Sequence, residues 1–173
     1  EPEGKFLEDD RPPSVPGGKE RILLIDDEED LVYAGIKMLR RLGYEVVGCS
    51  TAAEALALFQ AHPERFDLVI TDQSMPKMTG TALAKAILSL RPGFPIIICT
   101  GFSPDSGEGI TQKQAEALGI REVHLKPLER FETAAAIRRV LDGHASVSYT
   151  HLRAHETVLD LVCRLLLDKK KNT

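Results

Sequence analysis

Five polar residues in this chain have the types and spacing for phosphoryl chemistry: Asp26, Asp27, Asp72, Thr100 and Lys126. Each follows a short apolar run, RILLI before the aspartate pair, LVIT before Asp72, IIIC before Thr100 and EVHL before Lys126. Residues at the C-terminal tips of buried strands lie where open α/β folds place their chemistry. Carboxylates crowded into one pocket repel, which raises their pKa values unless a cation is present. Mg²⁺ suits such a pocket, being hard, oxygen-seeking and prone to bind through one or two carboxylates plus a phosphate. An Asp beside it can attack a phosphoryl donor and form an acyl phosphate. The ion and the Lys126 ammonium would offset charge on the transferred oxygens, and Thr100 could hydrogen-bond one of them. Plainer readings exist residue by residue. Asp72 alone could open a turn, and Asp26-Asp27-Glu28-Glu29 could be a solvated acidic helix start. Their common position at strand ends favours a site.

The elements that must position these groups follow from periodicity and punctuation. Short runs rich in β-branched residues predict strands over 21–25, 44–49, 66–71, 94–99 and 122–125. Helices are predicted over about 30–42, from 51 to before Pro63, and over about 81–90, 111–118 and 129–141. Thr51 and Glu54 have the T-x-x-E spacing of a capping box. Gly43, Pro63, Arg91-Pro92-Gly93 and Gly119 stop four of the helices. The expected inner faces are Leu31, Gly35, Met38, Leu39 and Leu42; Ala52, Ala55, Leu56 and Phe59; Leu83, Ile87 and Leu90; and Phe131, Ala134, Ile137 and Leu141. Residues 101–110, GFSPDSGEGI, have a flexible-loop composition. Five alternating βα units with short connections predict an α/β fold, a parallel sheet with helices on both faces.

Composition narrows the class. At 173 residues, 43% hydrophobic and 28% charged, the chain suits one soluble domain with flanking segments. A net charge of −4 gives no sign of a nucleic-acid-binding surface. No apolar run approaches the roughly 20 residues of a membrane helix, so no membrane contact is expected. Residues 1–20 hold four prolines and three glycines among charges and read as a disordered linker. The chain starts at Glu1, with no signal peptide in view, and reads as a piece of a longer protein. Cys49, Cys99 and Cys163 lack metal-site spacing and fit a reducing cytoplasm. Met75 and Met78 read as gap fillers, Gly93, Gly101 and Phe102 as turn or packing residues, and His124 as facing a helix or solvent.

From about Arg21 to Gly143 the chain resembles the response-regulator receiver (CheY-like) family. The resemblance rests on Asp26-Asp27, D-x-x-M-P-x-M-x-G from Asp72, Thr100-Gly101 and Lys126-Pro127. It implies a flavodoxin-like (βα)5 doubly wound sheet with strand order 2-1-3-4-5. It implies a phosphoacceptor domain of a two-component phosphorelay, not an enzyme in its own right, in which Asp72 takes phosphate from a phosphohistidine. The implied partner is a histidine kinase or a histidine phosphotransfer domain. Asp27, Asp72 and the Ser74 backbone carbonyl would bind Mg²⁺ directly, with Asp26 acting through water. Lys126 would pair with the carboxylate and then the phosphate, and the Lys126-Pro127 bond would be cis. The parent is expected to be a hybrid sensor histidine kinase with this domain as its C-terminal receiver; a stand-alone regulator is the other reading.

Three points depart from or compete with that picture. Val123 stands where the family usually has Tyr or Phe, so the coupling of Thr to a buried ring is not expected here. A phosphate-independent pseudo-receiver is the first alternative. A haloacid-dehalogenase-like phosphohydrolase is the second, weakened because that family puts a D-x-D motif on its first strand. Residues 144–173 read as a non-native tail. VSYTHLRAHET and LVCRLLL can both be translated from sequences resembling a sequencing adapter, which leaves His151, His155 and Cys163 without function.

Overall fold

The computed structural model describes residues 15–102 and 109–143. The expectations for residues 1–14, for most of the 101–110 loop and for the tail from 144 onward lie outside the described residues. Five parallel strands run β1 Arg21–Ile25, β2 Glu45–Cys49, β3 Leu68–Asp72, β4 Ile96–Thr100 and β5 Glu122–Leu125. They are ordered β2-β1-β3-β4-β5, the flavodoxin-like arrangement. Five helices alternate with them: α1 Glu29–Arg41, α2 Ala52–Ala61, α3 Gly80–Leu90, α4 Gln112–Ala117 and α5 Arg130–Asp142.

Residues along a strand point alternately to the two faces, so one apolar run feeds two cores. On one face, Leu23, Ile25, Val69, Ile96 and Ile98 pack with α2, α3 and α4. On the other, Ile22, Leu24, Leu68, Ile70 and Ile97 pack with α1 and α5. The first core is anchored by Phe59, whose ring lies 6.5 Å from Phe66 and 5.1 Å, edge-on, from Phe94. Removing such a buried ring costs about 3–5 kcal/mol. β3 and β4 are buried at all five positions, and β2 and β5 are the sheet's edges.

Helix starts agree closely with the chemistry of their caps. The Thr51 hydroxyl accepts from the Glu54 N–H, one half of the expected capping box. Thr79 caps α3 and Thr111 caps α4 in the same way. Three residues expected inside are exposed: Leu31 (41%), Leu90 (47%) and Phe131 (50%). In α1 the buried stripe is Val32, Gly35 and Leu39, so Gly35 and Leu39 face inward as expected and Val32 takes the place of Leu31. At Gly35 the helix comes close to β1, where a Cβ would lie 2.6 Å from Leu24 Cδ2 and displace that side chain. Leu90 ends its helix past the edge of the core. In α5 the buried stripe runs through Ala134, Ile137 and Val140, leaving Phe131 over the edge strand. His124 is buried and faces α5, with Nε2 3.4 Å from Thr133 Oγ1.

The lead-in segment closes on the domain. Gly18 N–H donates to Leu42 O at 3.1 Å, and Glu20 pairs with Arg138 of α5 at 2.7 Å.

Candidate functional site

The parallel sheet carries all five strand tips to one edge, and the strand order reverses between β1 and β3. That switch point is where such sheets bind ligands. Asp26 and Asp27 leave β1, Asp72 ends β3, Thr100 ends β4, and Lys126 follows β5. Asp26, Asp72 and Thr100 are buried while Asp27 is exposed. Carboxylate oxygens of Asp26, Asp27 and Asp72 lie within 4.8 Å of one another. Lys126, 100 residues from Asp26 in the chain, places its Nζ 2.6 Å from Asp26 Oδ2 and 3.1 Å from Asp72 Oδ1. One ammonium thus bridges two of three carboxylates.

The charge imbalance is visible in the proton affinities. Burial lifts the pKa of Asp72 above the usual carboxylate value, and Asp26 and Asp27 add to the effect against the pull of Lys126. Burial works against the Lys126 ammonium, but its hydrogen bonds to Asp26 and Asp72 outweigh that and raise its pKa. Cys99, next to the site on β4, is pushed up by burial to about 12, and Cys49 to about 11. Neither thiol is a nucleophile at neutral pH.

Backbone contacts fix the acidic residues. Asp26 Oδ1 accepts from the Glu28 N–H at 3.0 Å, just ahead of α1. Gln73 N–H donates to Cys99 O, and Lys126 N–H donates to Thr100 O at 2.9 Å, tying the ends of β3, β4 and β5 together. The Thr100 hydroxyl accepts from the Phe102 N–H at 3.2 Å. Ser74 is exposed in the bend two residues after Asp72. The Lys126-Pro127 bond is cis.

Supporting residues were less apparent in advance. The glycine that closes the Asp72 motif, Gly80, starts α3 where a Cβ would lie 2.3 Å from the Asp72 carbonyl oxygen. Gln73 turns its side-chain oxygen to the Thr81 N–H and hydroxyl, at 3.0 and 2.8 Å, bracing the loop after Asp72. Gly80 belongs to the motif and was legible within it. Gln73 carried no such signal.

This arrangement gathers three carboxylates and one ammonium at the switch point of a doubly wound sheet, and comparison with known proteins identifies the class. The response regulator receiver domain matches residues 22–138. The chain is 31% identical over 121 residues to the alkaline phosphatase synthesis transcriptional regulatory protein PhoP of Bacillus subtilis, covering 70% of this chain and 48% of that one. It is 36% identical over 112 residues to the transcriptional regulatory protein ZraR of Salmonella typhimurium, covering 65% of this chain and 24% of that one. The chain thus spans at most about half the length of these curated relatives. Among solved structures, the chemotaxis regulator CheY4 of Vibrio cholerae superposes with a TM-score of 0.62 at 30% identity, over 72% of this chain and 100% of that one. The chain belongs to the response regulator receiver family, and its described core is a receiver domain of the two-component type.

Proposed function

We propose that Asp72 is the phosphoacceptor of this receiver and that it takes its phosphate from a phosphohistidine. The observation that carries the reading is the convergence of Asp26, Asp27, Asp72 and Lys126, from three strands, in one small pocket. An Asp72 carboxylate oxygen attacks phosphorus and the P–N bond breaks. The donor ring, protonated at its other nitrogen, leaves as neutral imidazole, and an acyl phosphate remains on Asp72. Lys126, already beside Asp72, follows the transferred oxygens. The Thr100 hydroxyl, at the neighbouring strand tip, accepts from the Phe102 N–H and can donate its own O–H to phosphate.

The pocket fits Mg²⁺. Its donors are all oxygens, two of the three acids are buried, and a single ammonium leaves negative charge uncompensated. Asp26, Asp27, Asp72 and the Ser74 carbonyl are the residues that would hold the ion. When bound, it supplies positive charge against the incoming phosphoryl group. The phosphodonor would be a histidine kinase or a histidine phosphotransfer domain. A cavity of about 610 Å³ supports this, with Asp26 and Lys126 at its polar end and Leu31, Met38, Pro127 and Leu128 along its walls. Such a mixed surface suits a helix carrying phosphohistidine.

We read the parent as a hybrid sensor histidine kinase in the cytoplasm. The 28% identity over 89 residues to the sensor kinase CckA of Brucella abortus supports that reading, whereas the relatives named as transcriptional regulators support the stand-alone alternative. No helix among the described residues is long and apolar enough to cross a membrane. We also read residues 144–173 as translated adapter; sequencing the flanking genomic DNA decides both points.

The direct test is labelling by acetyl phosphate with Mg²⁺. Wild type should form an acid-stable, base-labile adduct, and Asp72→Asn should form none. Equal labelling of both proteins would remove Asp72 from the role. Turnover of phosphoester substrates would revive the phosphohydrolase reading.

A further inference from the structure

Gln73 stands in the chain between the Asp72 carboxylate and the Ser74 carbonyl, and its bonds reach two other elements. Its backbone N–H donates to Cys99 O on β4 at 2.8 Å, and its carbonyl accepts from the Gly80 N–H at the start of α3 at 3.0 Å. Its side-chain Oε1 accepts from the Thr81 N–H at 3.0 Å and from the Thr81 hydroxyl at 2.8 Å. One residue thus fastens the tip of β3 both to β4 and to α3.

The first N–H groups of a helix have no partner within it. In α3 the cap residue Thr79 takes the Ala82 N–H with its hydroxyl at 3.2 Å and the Leu83 N–H with its carbonyl at 3.0 Å. The Gly80 and Thr81 N–H groups go to Gln73, one to its main chain and one to its side chain. Residues 74–79 therefore form a short loop held at both ends. Inside it Met75 is buried in the first core, Met78 N–H donates to Pro76 O at 2.8 Å, and Lys77 has φ +68°. A side-chain-bearing residue keeps such a φ only where its surroundings impose it, so this loop is shaped from outside as well as by its own turn.

We propose that the Gln73 side chain is a positioning group for Mg²⁺: by holding the start of α3 it fixes the loop that carries the Ser74 carbonyl. The proposal rests on the reading of the acidic pocket as a Mg²⁺ site with that carbonyl among its donors. Mg²⁺ demands near-ideal octahedral geometry. A donor on a loop tied at both ends meets that demand better than the same donor on a loose one, which is how partners behind the ligands of a metal site raise its affinity. Gln73 acts through Ser74 and offers no ligand of its own. Thr81 is its partner in this, supplying both of the donors that the amide oxygen receives.

The test is calorimetric titration of the full chain with MgCl₂. Gln73→Met keeps the length of the side chain and removes its acceptor, and should weaken Mg²⁺ binding about tenfold. Thr81→Val removes only the hydroxyl and should weaken it by a smaller factor, while Thr81→Ser, which keeps both donors, should bind as wild type does. The double variant Gln73→Met/Thr81→Val should bind no more weakly than Gln73→Met alone, because the two changes break the same contact. The control is Gln112→Met. That residue also spends its amide on backbone, accepting from the Val123 N–H at 2.8 Å and donating to the Arg121 carbonyl at 3.1 Å on the outer edge of β5. Its loss should leave Mg²⁺ affinity unchanged. Wild-type affinity in Gln73→Met, or in Thr81→Val where Gln73→Met does not fold, would overturn the brace and leave the Mg²⁺ site in place. A tenfold loss in Gln112→Met as well would assign the effect to general loosening and overturn it too, as would a double variant weakened by the product of the single effects. No Mg²⁺ binding by wild type would overturn the reading of the pocket and this proposal with it.

Discussion

At the C-terminal edge of the sheet, three carboxylates share one ammonium in a largely buried pocket. At the opposite edge, charges pair nearly one to one. Asp67 accepts from the Arg21 backbone at 2.8 Å and from its guanidinium at 3.2 Å, Glu20 meets Arg138 at 2.7 Å, and Glu122 meets Arg139. These pairs are more exposed; Arg21 and Asp67 show 43% and 36% of their side chains to solvent, against 20%, 9% and 7% for Lys126, Asp26 and Asp72. Both edges carry carboxylates and cations. What differs is balance and burial, and the unbalanced, buried cluster is the one that can take up a cation and a phosphate.

The largest expected contrast is between Lys126→Met and Arg21→Met. Removing Lys126 leaves Asp26 and Asp72 facing each other with little solvent, and should cost about 2–3 kcal/mol in metal-free buffer. Mg²⁺ should restore more stability to this variant than it adds to wild type. Arg21→Met should cost at most about 1 kcal/mol, since an exposed pair is screened, and should respond to Mg²⁺ as wild type does. Urea unfolding with Mg²⁺ and with EDTA measures both. Equal losses with equal Mg²⁺ responses would abolish the distinction between the two edges.

Metal removal gives the next effect. At an Mg²⁺ concentration about ten times its dissociation constant, a site present only in the folded state adds about 1.4 kcal/mol. EDTA should lower the wild-type unfolding midpoint accordingly, and Asp27→Asn should lose most of this response. Asp67→Asn, at the other edge, should keep it. A response that survives Asp27→Asn would place the ion elsewhere.

Why one edge was legible in the sequence and the other was not has a physical cause. Each functional residue terminates an apolar run, so a one-dimensional pattern marks its position. The parallel βα order then brings Asp26 and Lys126 together across 100 residues without any further information. Helix phase was less legible. In α1 Gly35 and Leu39 are buried as expected, but Val32 is buried where Leu31 was expected. Leu31 and Phe131 are exposed although periodicity puts them inward. Gln112 was invisible, because nothing in its spacing indicates that an amide will match the N–H and C=O of a strand edge. Arg21 and Asp67 likewise look like any surface charges until the start of β1 is set beside the lead into β3.

The smallest effect concerns His124, which lies between the two edges on the buried face of β5. Burial lowers the pKa of its imidazole below the usual 6.5; Glu122 and Glu132 pull it back up and Arg139 pushes it down. The folded domain therefore holds a neutral ring. As pH falls through about 6.5 the unfolded chain takes up a proton that the folded chain refuses, so stability declines there. Asp67 acts in another window. Burial works against its carboxylate, but the hydrogen bonds from Arg21 outweigh that and lower its pKa. Its contribution is present above about 3.8, the ordinary Asp value, and is lost as pH falls through its lowered folded-state pKa. Urea midpoints at pH 7.5, 6.5 and 5.5, with Mg²⁺ present, separate the two. Wild type and Asp67→Asn should both show a shallow decline across this range, and His124→Gln should flatten it. An equally steep decline in His124→Gln would show that the buried ring is not the source of the domain's pH dependence near neutrality.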